Sequence, residues 1–311
     1  MDTGILSISL LAAWSLIYFI VKSFFDSDIY KTDKETGNVL RDNDGNKIIK
    51  FSKNAIQNVL LIIYIVILFF FQIMASIFGY NSMVQDNTKK VEDELNTTLP
   101  TPDTSQKLPE ILLSTLLPWT IMFVSLVALL KVFPGWKLPF SNTFGYLVVK
   151  LLGISGIMNK LIISYDELGN SDEAETKDEN FNRAIRTMKP IISNPTLIIN
   201  EMSTENFDNA WNILENGKIL KDEEFFNATY QPQKITREST RSTLQQYISI
   251  KENVAEFIWY ILAGAFIASY VQNLIVNIGP PISDEQLKQE YTASIEKTNN
   301  EELGKTYVDE E

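Results

Sequence analysis

One short acidic segment of this chain contains residue types that bind metal ions. Asp42 and Asp44 precede Gly45, as they would in the loop that binds calcium in helix–loop–helix proteins. The spacing fails, because it places Leu40 at the first ligand position and no glutamate six residues after Gly45. We therefore interpret the segment as a hairpin turn, since an Asp-Gly pair tolerates a positive φ.

The sequence also lacks most of the residue types and motifs that enzymes use for catalysis. The 311 residues include no cysteine and no histidine, which removes disulfides, thiol catalysis, most zinc sites and the usual general base near neutral pH. Glycine-rich nucleotide-binding motifs, phosphate-binding loops and serine-nucleophile elbows are absent from the sequence. Tyr165-Asp166 is similar to half of an intramembrane aspartyl protease site, but the matching GxGD motif is missing. We predict a non-enzymatic protein without a cofactor or a metal.

Charge and apolar patterning indicate a membrane protein. The net charge of -12 leaves little basic surface for phosphate backbones, so no nucleic-acid partner is expected. The apolar residues are gathered into long uncharged blocks, separated by stretches rich in Asn, Asp, Glu, Lys and Thr. A helix needs about 20 apolar residues to cross the hydrocarbon of a bilayer, and four blocks are long enough.

Nine consecutive segments follow from this pattern. They are transmembrane helix 1 (1–25), a polar hairpin loop (26–53), transmembrane helix 2 (54–80), a polar, proline-containing loop (81–110), transmembrane helix 3 (111–131), a hinge with an interfacial segment (132–159), an α-rich interaction domain (160–253), transmembrane helix 4 (254–278) and an acidic tail (279–311). The predicted fold class is mainly α: a polytopic membrane protein with about four transmembrane helices, an interfacial or re-entrant segment, a small hairpin loop and a small α-rich extramembrane domain.

The first apolar block is predicted to be a signal anchor. No Lys or Arg precedes it, and no small-residue cleavage site follows its apolar core, so a cleaved signal peptide is the less favoured alternative.

The hinge after the third block has the composition of a membrane boundary. Pro134, Gly135 and Pro139 forbid a continuous helix. Trp136 lies between two lysines, and aromatic and basic side chains of this kind are enriched at membrane–water interfaces. We predict that these four residues lie at the membrane boundary, with Trp136 at the level of the lipid headgroups.

The segment that follows the hinge decides the topology. Residues 138–158 are apolar, but Lys150 near their middle would be costly inside a bilayer. We predict that the segment lies along the interface. A fifth span is the alternative, and it would move the polar domain and the tail to opposite sides of the membrane.

Two pairs of residues complete the predicted interface candidates. Phe207 and Trp211 form, with Leu214, an apolar stripe at helical spacing, which is typical of an amphipathic helix packed in a core. Gly264 and Ala268 form a small-xxx-small pair on the last span, which suits close packing against another transmembrane helix.

The distribution of basic residues predicts the orientation. Residues 26–53 contain six Lys or Arg, residues 86–110 contain three, and the N-terminal stub contains none. Because cytoplasmic loops are rich in Lys and Arg, the hairpin loop and the polar domain are predicted inside. The N-terminus, the loop with the Asn96 glycosylation sequon and the tail are predicted outside. Modification of the Asn227-Ala228-Thr229 sequon would contradict this arrangement.

Three segments resemble membrane proteins of the nucleocytoplasmic large DNA viruses, such as algal and amoebal giant viruses. They are residues 133–146, residues 254–264, and Glu205-Asn206-Phe207 with Trp211. The resemblance implies a minor capsid protein in the virion inner membrane, and in host-derived membrane during assembly, that links this membrane to the icosahedral capsid shell. Its implied partners are the lipid bilayer, capsid or other virion proteins, and a possible homo-oligomer.

The alternative function is an oligomeric pore, or an entry or fusion-related membrane protein. Its polar lining would come from Ser269, Gln272, Asn273 and Asn277. The four blocks carry no charge through their centres, which disfavours a proton- or ion-coupled pathway.

Overall fold

The described part of the chain is mainly helical. The computed structural model describes residues 3–25, 28–33, 38–95, 99, 103–163, 193–230 and 235–281, and some positions between 283 and 295. Among these residues, four helices are long and apolar enough to cross a membrane. By its contacts the chain divides into two compact units: unit one comprises residues 1–14, 63–126 and 261–311, and unit two comprises residues 15–62 and 127–260.

Ten α-helices and one small sheet make up the described chain. The helices are α1 (Thr3–Phe24), α2 (Lys53–Leu95), α3 (Leu108–Val132), α4 (Leu138–Phe140), α5 (Tyr146–Leu151), α6 (Ile154–Leu161), α7 (Pro195–Glu201), α8 (Phe207–Asn216), α9 (Glu223–Tyr230) and α10 (Arg237–Asn277). Short 3-10 helices lie at Ser105–Lys107 and Pro134–Lys137, and a π-helical turn lies at Ser141–Gly145. Strands β1 (Ile29–Tyr30) and β2 (Ile49–Phe51) pair antiparallel.

Two of the four long helices extend more than ten residues beyond the predicted spans. Helix α2 has 43 residues and α10 has 41. At 1.5 Å per residue each is roughly 60 Å long, about twice the hydrocarbon thickness of a bilayer. The predicted limits 54–80 and 254–278 therefore mark the apolar parts of longer helices, and no proline interrupts the polar sequence beside them.

The hairpin turn contains the acidic cluster. Gly45 has φ +85°, which is the left-handed conformation that favours glycine. The carboxylate of Asp42 accepts the backbone N–H groups of Asp44, at 3.0 Å, and of Asn46, at 2.8 Å. Asp42 therefore has the role of a turn residue.

Large aromatic and aliphatic side chains fill the interior of unit one. The buried Trp119 ring stacks on Phe123, with 5.8 Å between centroids, and Phe123 meets Tyr64 nearly edge-on at 6.0 Å. Gly264 lies close to α1, since a Cβ atom at this position would lie under 3.0 Å from the side chain of Leu11. Ala268, one turn further on, is buried as well.

Polar side chains inside unit one bond to one another. The hydroxyl of Ser7 donates to the amide oxygen of Gln72, and Thr115 Oγ1 donates to Ser76 Oγ at 2.8 Å. Such bonds between helices satisfy polar groups in an apolar surrounding. Gln272 lines a cavity of about 30 Å³ together with Ser7 and Gln72, and this volume suits about one water molecule.

The α-rich domain of unit two has a continuous apolar core. Its buried residues come from α5 to α9 and from the N-terminal part of α10, and include Val149, Ile154, Met158, Leu161, Ile199, Met202, Phe207, Trp211, Leu214, Phe226, Leu244 and Ile248. The stripe formed by Phe207, Trp211 and Leu214 is therefore part of the core. This agrees with the interpretation of the stripe from its helical spacing.

The amphipathic helix expected from this stripe is α8, and a separate helix, α7, precedes it. Helix α7 ends at Glu201 and α8 begins at Phe207. Between them the Asn206 side chain donates to the carbonyl of Glu201 at 2.9 Å and accepts the N–H of Ser203 at 2.7 Å. An asparagine that bonds to nearby backbone in this way competes with helix formation.

The segment after the hinge is bent rather than straight. The pair formed by residues Pro134–Leu151 and Ile154–Leu161 turns through 86°, and by length and composition it could count as a fifth, broken span. Gly153 lies at the bend with φ +100°. One face of the segment supplies buried residues to the domain core. Phe144, Leu147 and Leu151 are each more than half exposed on the remaining surface.

Several predictions concern residues outside the described ranges. They are the Asn96 sequon, the Tyr165-Asp166 dipeptide and the end of the tail after residue 295. The sequence also predicts a second hairpin turn at positions 36 and 37, an acidic loop at 166–179 and a helix at 180–188, and these too lie outside the described ranges.

Candidate functional site: a charged junction between the hinge and helix α10

The tryptophan of the hinge contacts helix α10. The Nε1–H of Trp259 donates to the carbonyl oxygen of Trp136 at 2.8 Å, and the two rings lie 5.8 Å apart. Phe140 meets the Trp259 ring edge-on, with 5.1 Å between centroids. The Trp136 side chain is half exposed. The hinge is thus attached to α10 through backbone and aromatic contacts.

A cluster of four charged side chains lies next to these rings. Glu256 is ion-paired with Lys137 at 2.8 Å and with Lys22, at the end of α1, at 2.5 Å. Lys137 is also 3.9 Å from Glu252. The four side chains are only 12–16% exposed. At this burial each charge depends on its partner, because an unpaired charge would lose its hydration without compensation.

Glu252 extends the cluster to the turn between α7 and α8. Its carboxylate accepts the backbone N–H of Thr204 at 2.9 Å and the hydroxyl of the same residue at 2.7 Å. Hydrogen bonds to a charged acceptor are stronger than those between neutral groups. The turn is therefore held to α10 by two charge-assisted bonds.

Lys251 is a fully buried cation beside the cluster. Its ammonium donates to the amide oxygen of Asn142 at 3.2 Å and to the carbonyl oxygens of Ile199, at 2.8 Å, and Met202, at 3.0 Å. An ammonium has three donors, so all of its donors are used. Lys251 thereby joins the π-helical turn, the end of α7 and α10.

The backbone of the π-helical turn approaches α10 closely at Gly145. A Cβ atom at this position would lie under 3.0 Å from the backbone carbonyl oxygen of Lys251. A backbone atom in the middle of a helix cannot give way as a side-chain tip can. The contact therefore requires glycine at position 145.

Two of the four predicted boundary residues of the hinge line a cavity of about 250 Å³. Pro134 and Gly135 line it, together with Lys137 and Glu252. The carbonyl of Pro139 accepts the hydroxyl of Thr143 at 2.6 Å. This hydrogen bond stabilises the backbone conformation of the hinge.

The buried hydroxyl of Ser141 and the side-chain oxygen of Asn200 lie in the lining of the same cavity. Neither atom has a hydrogen-bond partner in the described protein. Buried polar atoms of this kind are commonly satisfied by water, and the cavity is large enough to hold it.

The other predicted interface residues lie elsewhere. Phe207 and Trp211 are inside the domain core, where Arg241 of α10 lies 5.8 Å and 5.4 Å from their ring centroids. Arg241 is itself ion-paired with Asp208 at 2.7 Å. Gly264 and Ala268 belong to unit one, as described above. The structure thus brings together the hinge residues, while the two other pairs have separate packing roles.

The sequence patterns did not single out Lys251, Glu252 and Gly145. A signal for Glu256 was present, because it is the only charge in residues 254–278 and lies near their start. A buried carboxylate needs cations, and Lys22 ends the first uncharged block. The sequence alone does not show which lysines pair with Glu256, because this depends on the tertiary structure.

The arrangement can hold segments together electrostatically. Its charged groups are engaged in ion pairs and hydrogen bonds, and within the described ranges no three acidic residues are grouped so that they could hold a metal ion. The junction is therefore best described as a set of structural contacts that hold the hinge and the α7–α8 turn against helix α10.

Comparison of the chain with family models, curated proteins and solved structures gives no match. The resemblance to giant-virus membrane proteins thus remains an expectation based on its three sequence segments.

Proposed function

We propose that this protein is a multi-pass membrane anchor that holds its α-rich domain at the membrane surface for a structural protein partner. The observation that carries the proposal is the continuity of α10. Leu244 and Ile248 of this helix lie in the domain core, and the same helix continues as the uncharged run 257–277. A mechanical force on the domain would therefore be transmitted to the membrane-spanning part of the same continuous helix.

The charged junction supports this role. Lys137 and Glu256 join the hinge to α10 at the start of the apolar run, and Lys22 joins the end of α1 to the same carboxylate. In this proposal the hairpin loop, the hinge and the α-rich domain lie on the same side of the membrane. In this proposal residues 138–158 lie along the interface, with Phe144, Leu147 and Leu151 toward lipid and Trp136 at headgroup level.

The proposed partner follows from the sequence resemblance. We propose a minor capsid protein in the inner membrane of a large DNA virus, with the α-rich domain directed toward the capsid shell. The domain is proposed to lie on the cytosolic face, where such a shell would assemble.

The absence of cysteine makes the proposed topology directly testable. Single cysteines at Asn43, in the hairpin, and at Asn212, on α8, are expected to react with a membrane-impermeant maleimide only after permeabilisation of intact cells. A cysteine at Gln106 is expected to react without it. All three positions are exposed. Reaction of the Asn43 and Asn212 positions from opposite sides, or glycosylation at Asn227, would contradict the four-span topology.

The proposed partner is tested in purified particles with the full-length chain. A photo-crosslinker attached at Asn212→Cys is expected to capture shell proteins, and the matched Gln106→Cys variant is expected to capture none. The readout is mass spectrometry of the crosslinked peptides. If the protein is missing from the particles, or if neither position captures a shell protein, the capsid-linking function is wrong even though the membrane topology could stand.

A further inference from the structure

A basic cavity in unit two lies next to the charged junction. It has a volume of about 200 Å³ and is lined by residues of α1, α2, α3, the hinge and α10. Three of its lining residues are lysines, at positions 22, 131 and 137, and one is an acid, Glu256. Glu252, outside the lining, also lies 3.9 Å from Lys137, so the three lysines exceed the two carboxylates by one positive charge.

The two nearby carboxylates, Glu256 and Glu252, leave one lysine of this cavity without an ion pair. Glu256 is shared between Lys22 and Lys137. Lys131, at the end of α3, has no ion-pair partner among the described residues, and its side chain is exposed. Gln57 and Asn58 add amide groups to the lining. Several donors thus converge on a space with room for an anion.

The positions of these charges in the sequence place the cavity at the edge of the apolar helices. Lys22 follows the uncharged residues 3–21, Lys131 follows residues 111–130, and Glu256 precedes the uncharged run 257–277. Charged side chains at the ends of membrane helices reach the headgroup layer. The hairpin on the same side is rich in Lys and Arg, which indicates the cytoplasmic leaflet, where anionic lipids are abundant.

We propose that this cavity binds the phosphate group of an anionic phospholipid, with Lys131 as the ammonium that is not engaged in an ion pair. Basic pockets between transmembrane helices bind acidic headgroups by the same chemistry. Free inorganic phosphate offers similar oxygens, but the position of the cavity at the ends of the apolar helices favours a lipid. This inference concerns the lipid partner alone and stands whether or not the protein contacts a capsid.

The test uses the full-length protein in phosphatidylcholine nanodiscs with and without phosphatidylglycerol. Native mass spectrometry of the released protein is expected to show retained phosphatidylglycerol in preference to phosphatidylcholine. Lys131→Gln is expected to weaken this binding about fivefold, because a lysine near an anionic lipid contributes about 1 kcal/mol. Lys131→Arg is expected to restore it, which separates loss of charge from loss of folding.

Lys150→Gln is the matched control, because Lys150 is an exposed lysine of α5 that does not line the cavity. Its lipid retention is expected to equal that of the wild type. Equal losses in Lys131→Gln and Lys150→Gln would show general surface attraction and overturn the proposal. So would a lack of preference for phosphatidylglycerol. Thermal stabilisation by inorganic phosphate in phosphatidylcholine nanodiscs, with none by phosphatidylglycerol, would assign the cavity to a free anion and also overturn it.

Discussion

Replacing Glu256 with glutamine is expected to lower the free energy of unfolding by about 3–5 kcal/mol, because it leaves buried lysines without their shared carboxylate. Lys22 would lose the only ion-pair partner described for it, and Lys137 would keep only the more distant Glu252. Denaturation of the full-length protein in detergent would measure the effect. Tryptophan fluorescence is a suitable signal, since Trp259 lies on the same helix.

Two further variants make this prediction specific. In the Glu256→Gln background, Lys22→Met is expected to recover part of the lost stability, because it removes one uncompensated cation. Glu94→Gln is the matched control for an exposed pair, since Glu94 is ion-paired with Lys288 at 2.5 Å and its side chain is 62% exposed. Its cost is expected to stay within about 1 kcal/mol. Equal effects of Glu256→Gln and Glu94→Gln would show that the buried cluster does not stabilise the fold.

Replacing Gly145 with alanine is expected to destabilise the protein by about 1–3 kcal/mol. The new methyl group would collide with the backbone of Lys251, so the π-helical turn would have to move away from α10. That movement would also lengthen the hydrogen bond from Lys251 to Asn142. Thermal unfolding of the full-length chain in nanodiscs measures the loss, and Gly145→Val is expected to lose more.

Gly156 provides a control of opposite sign. It lies in α6, is exposed, and has open space where a Cβ atom would be. Gly156→Ala is expected to leave stability unchanged or to raise it by about 0.5–1 kcal/mol, because alanine is the better helix former. A similar loss in both variants would mean that the close approach at Gly145 is not what requires glycine there.

Both predictions bear on the proposed anchor function. The junction and the contact at Gly145 hold the hinge and the π-helical turn against α10, and in the proposed function this keeps the domain in place at the membrane surface. Glu256→Gln and Gly145→Ala are therefore expected to impair capture of a partner from particles by position 212 without changing the membrane topology.

Local patterns were sufficient for the long apolar helices and for the acidic turn. A span must supply about 20 apolar residues and satisfy its own backbone, so its signature is contained in one stretch of sequence. The turn at Gly45 is equally local, because its hydrogen bonds join residues two and four positions apart. The stripe of Phe207 and Trp211 was recognisable from helical periodicity alone.

Composition predicted the ends of the helices less well than it predicted their apolar parts. The predicted spans end at residue 80 and begin at residue 254, whereas α2 continues to Leu95 and α10 begins at Arg237. The break between α7 and α8 depends on the side chain of Asn206, which bonds to the backbone of two neighbouring residues. Apolar periodicity carries no information on such a bond.

The sequence by itself determined where apolar helices lie and where charges bound them. Only the tertiary structure decided which charges meet: Lys22 and Glu256 are 234 residues apart, and Asn142 and Lys251 are 109 apart. The physical reason is that hydrophobic length is a property of one segment, whereas an ion pair or a glycine contact depends on how distant segments pack. The requirement for glycine at position 145 exists only because α10 lies against it.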